Sequence, residues 1–177
     1  MTPPIAAPQP PADDPLGALL DTVRVGPINA QAQAVLAMLT DHERCRVVLV
    51  TLPEETPVNE LVDTAFSLED RVGVGLGPVV VNGLYEELPG LRAAPEAAAG
   101  EAGTTLRDGE ADALRYAAEF RTDRMALQVE QVGRLAEQLP LAQIRLPFVF
   151  TAEIGPVELD QLADRLLVEI DQLAEVV

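Results

Sequence analysis

The stretch that decides the fold of this chain is Cys45-Arg46-Val47-Val48-Leu49-Val50-Thr51-Leu52, which Pro53 brings to an end. Its nearly unbroken row of aliphatic and β-branched side chains predicts a strand covered on both faces, as in a parallel sheet. Two further apolar runs, at 78–82 and 144–150, predict buried strands of the same kind.

Helical patterns separate these strands. Thr56 and Pro57 suit the first positions of a helix that runs to Arg71. A long helix is predicted over 110–139, and its predicted inward face, interrupted by Arg121, is Leu114, Ala118, Met125, Val129, Val132, Ala136 and Leu139. A terminal helix begins after Gly155, and its predicted inner face is Leu159, Leu162, Leu166, Ile170 and Leu173. This alternation is typical of α/β proteins, and right-handed crossovers make the three strands parallel. Three strands are few for a doubly wound parallel sheet, so we expect a partial sheet with flanking helices. A partner, oligomerisation or a longer parent chain would supply its other strands.

Composition divides the chain into regions. Residues 1–15 hold six of the fifteen prolines and predict a disordered lead-in, while residues 16–177 form the α/β half-domain. Within it, residues 16–23 favour a weak helix, and Asn29 suits the cap of a second one. The segment 89–109, rich in Ala, Gly, Pro and Glu, predicts a mobile loop.

Charge and cysteine content narrow the choice of partners. The chain contains no lysine, and its formal net charge of −17 argues against nucleic acid and anionic membrane surfaces. No run reaches the roughly 18 apolar residues of a membrane span, so we expect a cytoplasmic protein without direct membrane insertion. Cys45, the single cysteine, gives neither a disulfide framework nor a thiol cluster for a metal.

Side chains suited to ligand recognition follow the strands, because open α/β sheets bind ligands beyond the carboxyl ends of their strands. Asn82 ends the second strand, and its amide offers a donor and an acceptor to an adenine edge. The alternative is that Asn82-Gly83 forms an ordinary strand-ending turn. After the third strand, the loop that contains Thr151 and Glu153 is placed to cover a base with backbone groups.

The other polar candidates are acids and a histidine. Glu54, Glu55 and Glu60 fit a contact to Mg²⁺ or a partner, or they favour the dipole at a helix start. His42 fits a surface residue better than a general base, because no serine or cysteine nucleophile motif accompanies it. We therefore assign no catalytic residue and no metal ligand.

Three motifs at successive strand ends resemble motifs of one known protein family. They are Thr51-Leu52-Pro53-Glu54-Glu55-Thr56-Pro57-Val58-Asn59-Glu60, Val79-Val80-Val81-Asn82, and Leu146-Pro147-Phe148 with Glu153 and Gly155-Pro156. In this order they resemble the strand-to-helix junction, the adenine-contacting "VVN" strand and the final strand and base-covering loop of the ArsA-type ATPases. That family includes the arsenite-efflux ATPase subunit and the tail-anchored-protein targeting ATPase.

The resemblance implies the carboxy-terminal half of a P-loop NTPase fold with ATP as its cofactor and Mg²⁺ only in a complete site. It implies that the base side of the nucleotide is contacted by Asn82, Pro147, Thr151, Glu153, Pro53 and Glu54. The family hydrolyses ATP with a lysine-bearing loop, G-x-x-x-x-G-K-[ST], and with switch motifs, and neither is present in this sequence. Whether the chain takes part in catalysis therefore stays open.

Two main hypotheses of function follow. In the first, the chain supplies the adenine side of an ATP pocket and part of a dimer surface, as a homo- or hetero-oligomer with a complete ATPase chain. In the second, it is a non-catalytic partner or pseudo-ATPase subunit that docks onto a complete ATPase and modulates it. A generic flavodoxin-like binding domain is a third possibility, for which the sequence has no flavin-phosphate loop.

Overall fold

The computed structural model describes residues 27–174 of the chain. Its sheet has the strand order β1-β2-β3, with β1 Arg46–Thr51, β2 Gly75–Leu84 and β3 Gln143–Pro147. The three strands are parallel, and helices flank the open sheet, which confirms the predicted α/β class. The helices are α1 Pro27–Leu39, α2 Glu55–Ser67, α3 Pro95–Glu101, α4 Glu110–Gln138 and α5 Pro156–Ala174.

Several boundaries differ from the sequence-based expectations. The lead-in at 1–15 and the weak helix at 16–23 lie outside the described residues. A π-helical turn, Leu68–Val72, follows α2, and the segment 89–109 contains the seven-residue helix α3. β3 ends at Pro147 rather than at residue 150, because its partner β2 ends at Leu84. One more backbone bond, from Phe148 N to Leu84 O at 2.8 Å, follows beyond the strand.

The strands differ in how well they are covered. β2, the middle strand, buries Val79, Val80 and Val81, as expected for a strand covered on both faces. β1 is an outer strand whose side chains alternate in exposure, with Val48 50% and Val50 63% exposed. The prediction that β1 is covered on both faces is therefore wrong, because an apolar run does not reveal whether a helix is available to cover each face.

The chain divides into two compact units, whose described residues are 27–49 with 63–77 and 50–62 with 78–174. In the first unit, the exposed His42 lies over the backbone of Gly75, where a Cβ would be 3.1 Å from its ring. His42 Nε2 also donates to the carbonyl of Gly73 at 3.1 Å. His42 therefore holds a surface turn, and within the described residues no hydrogen bond to another polar side chain orients it for proton transfer.

The second unit has an aliphatic core, contributed by α2, β2, α4 and β3: Val58, Leu61, Val79, Val81, Val132, Leu135, Leu139 and Ile144. The inward face of α4 is more polar than its apolar pattern predicts. Gln128 and Gln131 are buried, whereas Leu114 is 47% and Val129 74% exposed. The apolar positions of α4 thus predicted only part of its inward face: Val132 and Leu139 are buried, whereas Leu114 and Val129 are not, and a buried glutamine such as Gln128 looks like a surface residue in a sequence.

Candidate functional site

Three chain segments meet where the strands of the second unit end, and we call them together the carboxyl edge. They are residues 52–54, 82–86 and 147–151, which follow β1, β2 and β3. Parallel strands place their carboxyl ends at one edge of a sheet, and ligands of open α/β sheets bind there. All six residues that the sequence singled out for base contact lie on or beside this edge.

Asn82 lies in a β-bulge. β2 pairs Val81 with Arg145 and then Leu84 with Pro147, so β2 carries one extra residue across this step. Gly83 supplies the left-handed conformation at φ 82°, and Asn82 keeps an ordinary backbone angle. Bulges beside functional sites re-aim side chains. The Asn82 side chain is exposed and makes no hydrogen bond within the described part of the chain, so its amide is available to a ligand.

Gln128 of α4 holds the chain that follows Asn82. Its Oε1 accepts a hydrogen bond from Tyr85 N at 2.8 Å, and its Nε2 donates to Gly83 O at 3.0 Å. The side chain is 4% exposed, so both bonds are shielded from water. One buried amide therefore fixes the backbone from Gly83 to Tyr85, and with it the position of Asn82.

An aromatic cluster stands next to Asn82. Tyr85, Phe148 and Phe150 contact one another with ring centroids 4.7–5.3 Å apart in tilted and edge arrangements. Phe148 is 44% and Phe150 62% exposed, and Phe148 Cδ2 is 3.8 Å from the position a Cβ on Gly83 would take. Phe148 and Phe150 thus offer exposed ring surface close to Gly83, the residue that follows Asn82.

The guanidinium of Arg121, in α4, contacts two rings of this aromatic cluster. Its guanidinium carbon lies 5.1 Å from the ring centroid of Tyr85 and 4.8 Å from that of Phe150. Its Nη2 donates to the carbonyl of Glu86 at 2.7 Å, while its buried Nε has no partner within the described residues. The cation therefore fixes two rings and the loop after β2 in one arrangement.

Pro147 and Thr151 line one small cavity. It has a volume of about 370 Å³ and is bordered by the two phenylalanines of the cluster, by the acidic residues Glu86 and Glu158, and by the start of α5. The volume is within the range of small-ligand sites, roughly 300–1,000 Å³. The two charged residues that line the cavity are both acidic, which disfavours a phosphate there.

The other predicted residues have different surroundings. Pro53 is buried, and the carboxylate of Glu54 forms an ion pair with Arg124 of α4 at 2.9 Å. Glu153 is exposed, and its carbonyl accepts the hydroxyl of Thr151 at 2.9 Å. Pro147 and Thr151 thus line the cavity beside the aromatic cluster, and Asn82 lies in the nearby bulge outside that lining, whereas Glu54 is paired with Arg124 of α4.

Sequence reasoning missed the contribution of α4. Arg121, Arg124 and Gln128 reach the connections after β1 and β2, and Arg134 Nη2 donates to the carbonyl of Glu55 at 3.2 Å. The one available signal was Arg121, a cation within an otherwise apolar helical stripe. A charged residue on an inward face usually has a specific partner, since burying an unpaired charge is costly.

A larger cavity, of about 920 Å³, lies between α3 and α4 and is lined mainly by alanine and leucine. None of the predicted site residues borders it. Within residues 27–174 no group of three or more His, Cys, Asp and Glu side chains is placed to hold a metal ion. No helix among the described residues combines the length and apolar character needed to cross a bilayer.

No protein-family model matches this chain, and no curated protein matches it either.

Proposed function

We propose that this chain binds the base of an adenine nucleotide at the carboxyl edge and supplies the adenine side of an ATP pocket. In this proposal it is the carboxy-terminal half of an ArsA-type ATPase with a P-loop NTPase fold. The observation that carries the proposal is the exposed amide of Asn82, which makes no hydrogen bond within the described residues and lies in a bulge whose Gly83 is close to Phe148. An amide and a ring face together supply edge pairing and stacking, which are the two contacts that a base needs.

The arrangement around Asn82 supports this proposal further. Gly83, rather than Asn82, meets the backbone demand of the bulge, so the turn itself does not require asparagine at position 82. Gln128 and Arg121 hold the loop and the rings from the inner side. A site held in place before the ligand arrives loses less entropy on binding.

The phosphate side of the pocket would come from outside these 177 residues. The sequence has no lysine for a phosphate-binding loop, and acids rather than cations border the cavity beside Pro147. We propose a cytoplasmic homo- or hetero-oligomer in which a complete ATPase chain supplies that loop, the Mg²⁺ site and the catalytic groups. This chain would contribute the base contacts and part of the dimer surface.

The test is a titration of the isotope-labelled chain with AMP, followed by NMR. We expect weak binding, with the largest shifts at the Asn82 side-chain amide and at the rings of Phe148 and Phe150. GMP, which presents a different edge to the amide, serves as the matched control. Shifts confined to the cavity between α3 and α4, or equal shifts with GMP, would contradict the proposal.

A second candidate function rests on a different surface. Val50 and Leu52, at the end of the outer strand β1, are 63% and 44% exposed, which suits docking to another protein better than solvent exposure. In this alternative the chain is a non-catalytic partner that modulates a complete ATPase. An Asn82→Ala variant that leaves nucleotide affinity of the assembly unchanged, together with a Val50→Asp variant that abolishes assembly, would favour it.

A further inference from the structure

The terminal helix α5 has two apolar faces, and one of them is uncovered in the described part of the chain. Its inner face, toward β3, carries half-buried Leu162 and Leu166 and buried Glu169, which accepts a hydrogen bond from Arg145 N at 3.0 Å. Leu159 and Ile170, which the apolar pattern assigns to the inner face, are 57% and 43% exposed. The buried face of α5 is therefore rotated about the helix axis relative to the predicted one, and Leu159 and Ile170 lie outside it.

Four exposed residues form a continuous line along α5, which we call the α5 stripe: Leu159, Ala163, Leu167 and Ile170. They follow one another at steps of four, four and three residues, which is the helical spacing of a docking face. Leu167, in the middle of the stripe, is 60% exposed. The stripe is about 16 Å long at the rise of an α-helix. A stripe of this spacing fits the apolar face of another helix.

A row of carboxylates borders the stripe on one side. Asp160, Asp164 and Asp171 each directly follow a stripe residue, so each lies about 100° further around the helix. All three are exposed, and none forms an ion pair within the described residues. Arg165, the one basic residue of α5, pairs with Glu169 at 2.9 Å and does not neutralise the row.

From the stripe and its acidic border we infer that α5 docks a basic amphipathic helix of a partner protein. Leucine-type side chains of that helix would cover the stripe, and arginine or lysine on one flank would face the aspartate row. A second copy of this chain is a poor occupant of this face, because its own α5 would bring a second row of exposed aspartates against the first. This inference does not depend on nucleotide binding.

The test uses the full chain and a fluorescently labelled synthetic helix with leucines at three- and four-residue spacing and arginines along one flank. Binding is followed by fluorescence anisotropy at about 0.15 M salt, where charges further apart than about 8 Å are largely screened. We expect the triple variant Asp160→Asn, Asp164→Asn and Asp171→Asn to weaken binding by about tenfold, since exposed ion pairs contribute little individually. The control helix carries glutamates in place of the arginines and should not bind.

A matched triple variant removes the same number of charges elsewhere: Asp123→Asn, Glu130→Gln and Glu137→Gln, all exposed positions of α4. It should change affinity by less than about twofold if the contact is local. The double variant Leu159→Gln and Leu167→Gln keeps the acidic row and removes the apolar contact, and it should also weaken binding by about tenfold. Circular dichroism checks that these surface variants remain folded.

Three results would overturn the inference. Equal weakening by the two charge variants would mean a general attraction to an acidic protein rather than a docking face. Full affinity in the Leu159→Gln and Leu167→Gln variant would mean that the stripe takes no part. Self-association of the wild type in sedimentation that this variant abolishes would make a second copy the occupant.

Discussion

The carboxyl edge and the cavity between α3 and α4, which we call the groove, are two concave regions of the same unit. They differ in the residues that line them. The groove is larger, about 920 Å³ against about 370 Å³, but alanine and leucine line most of it. Of its charged residues, Arg115 of α4 forms ion pairs with Glu96 and Asp112, whereas Arg92, Glu119 and Asp123 form none within the described residues. The carboxyl edge has the smaller cavity, lined by exposed rings, and the Asn82 amide lies in the bulge nearby, outside that lining. Volume alone therefore does not identify a site, and convergent uncommitted polar groups do so better.

Among the variants that test this comparison, Gln128→Ala is expected to change the free energy of unfolding most. The change leaves the N–H of Tyr85 and the carbonyl of Gly83 without their buried partner. We expect it to lower the free energy of unfolding by about 2 kcal/mol, measured by urea denaturation. Hydrogen exchange of the Tyr85 amide should also become faster.

Gln131→Ala is the matched control for that experiment. Gln131 lies on the same helix and is 8% exposed, but its Oε1 has no hydrogen-bond partner within the described residues. Its replacement should cost less than about 1 kcal/mol. Equal losses from both variants would show that Gln128 contributes packing alone.

Arg121→Lys should have the next largest effect. A lysine ammonium cannot contact both rings and the Glu86 carbonyl as the planar guanidinium does. We expect a loss of about 1 kcal/mol in unfolding free energy and altered ring signals of Phe150 by NMR. Arg115→Lys, at the rim of the groove, is the comparison and should stay within about 0.5 kcal/mol. A larger loss of unfolding free energy in Arg115→Lys than in Arg121→Lys would mean that the ion pairs beside the groove stabilise the fold more than the cation at the carboxyl edge.

Asn82→Ala should separate ligand binding from stability. Its side chain is exposed and makes no hydrogen bond to residues 27–174, so the unfolding free energy should change by less than about 0.5 kcal/mol. Loss of one ligand hydrogen bond should weaken adenine-nucleotide binding about threefold to tenfold and reduce the preference over guanine nucleotides. Unchanged affinity and base preference would leave Asn82 as a residue of the bulge only.

The smallest effect is expected for the pH-dependent stabilisation by Glu96, whose partner Arg115 lines the groove. A hydrogen bond with its own backbone N–H, and to a lesser extent Arg115, holds the pKa of Glu96 below its ordinary value. A lowered native pKa means that the stabilisation is present at neutral pH and is lost as the pH falls through that native pKa. In Arg115→Ala the pKa should rise only in part, as measured by NMR titration. A full return to the ordinary value would make Arg115 the main cause.

Part of the candidate site was predictable from the sequence. Strand ends in an α/β pattern pointed to Asn82, Pro147 and Thr151, because parallel strands bring their carboxyl ends together. Glu54 was predicted as a nucleotide contact, and its pairing with Arg124 was not foreseen. Nothing in a linear pattern shows that residues seventy positions apart become neighbours.

The sequence by itself determined the α/β class, the three parallel strands and the absence of a lysine for a phosphate-binding loop. These follow from local properties, namely apolar runs, helix-start residues and composition. Only the tertiary structure decided the bulge at Asn82, the clamp of Gln128 on Gly83 and Tyr85, the aromatic cluster around Arg121, and which face of α5 stays uncovered. The physical reason is that these features depend on side chains brought together from distant segments, and burial gives their hydrogen bonds and ring contacts a strength that no local pattern encodes.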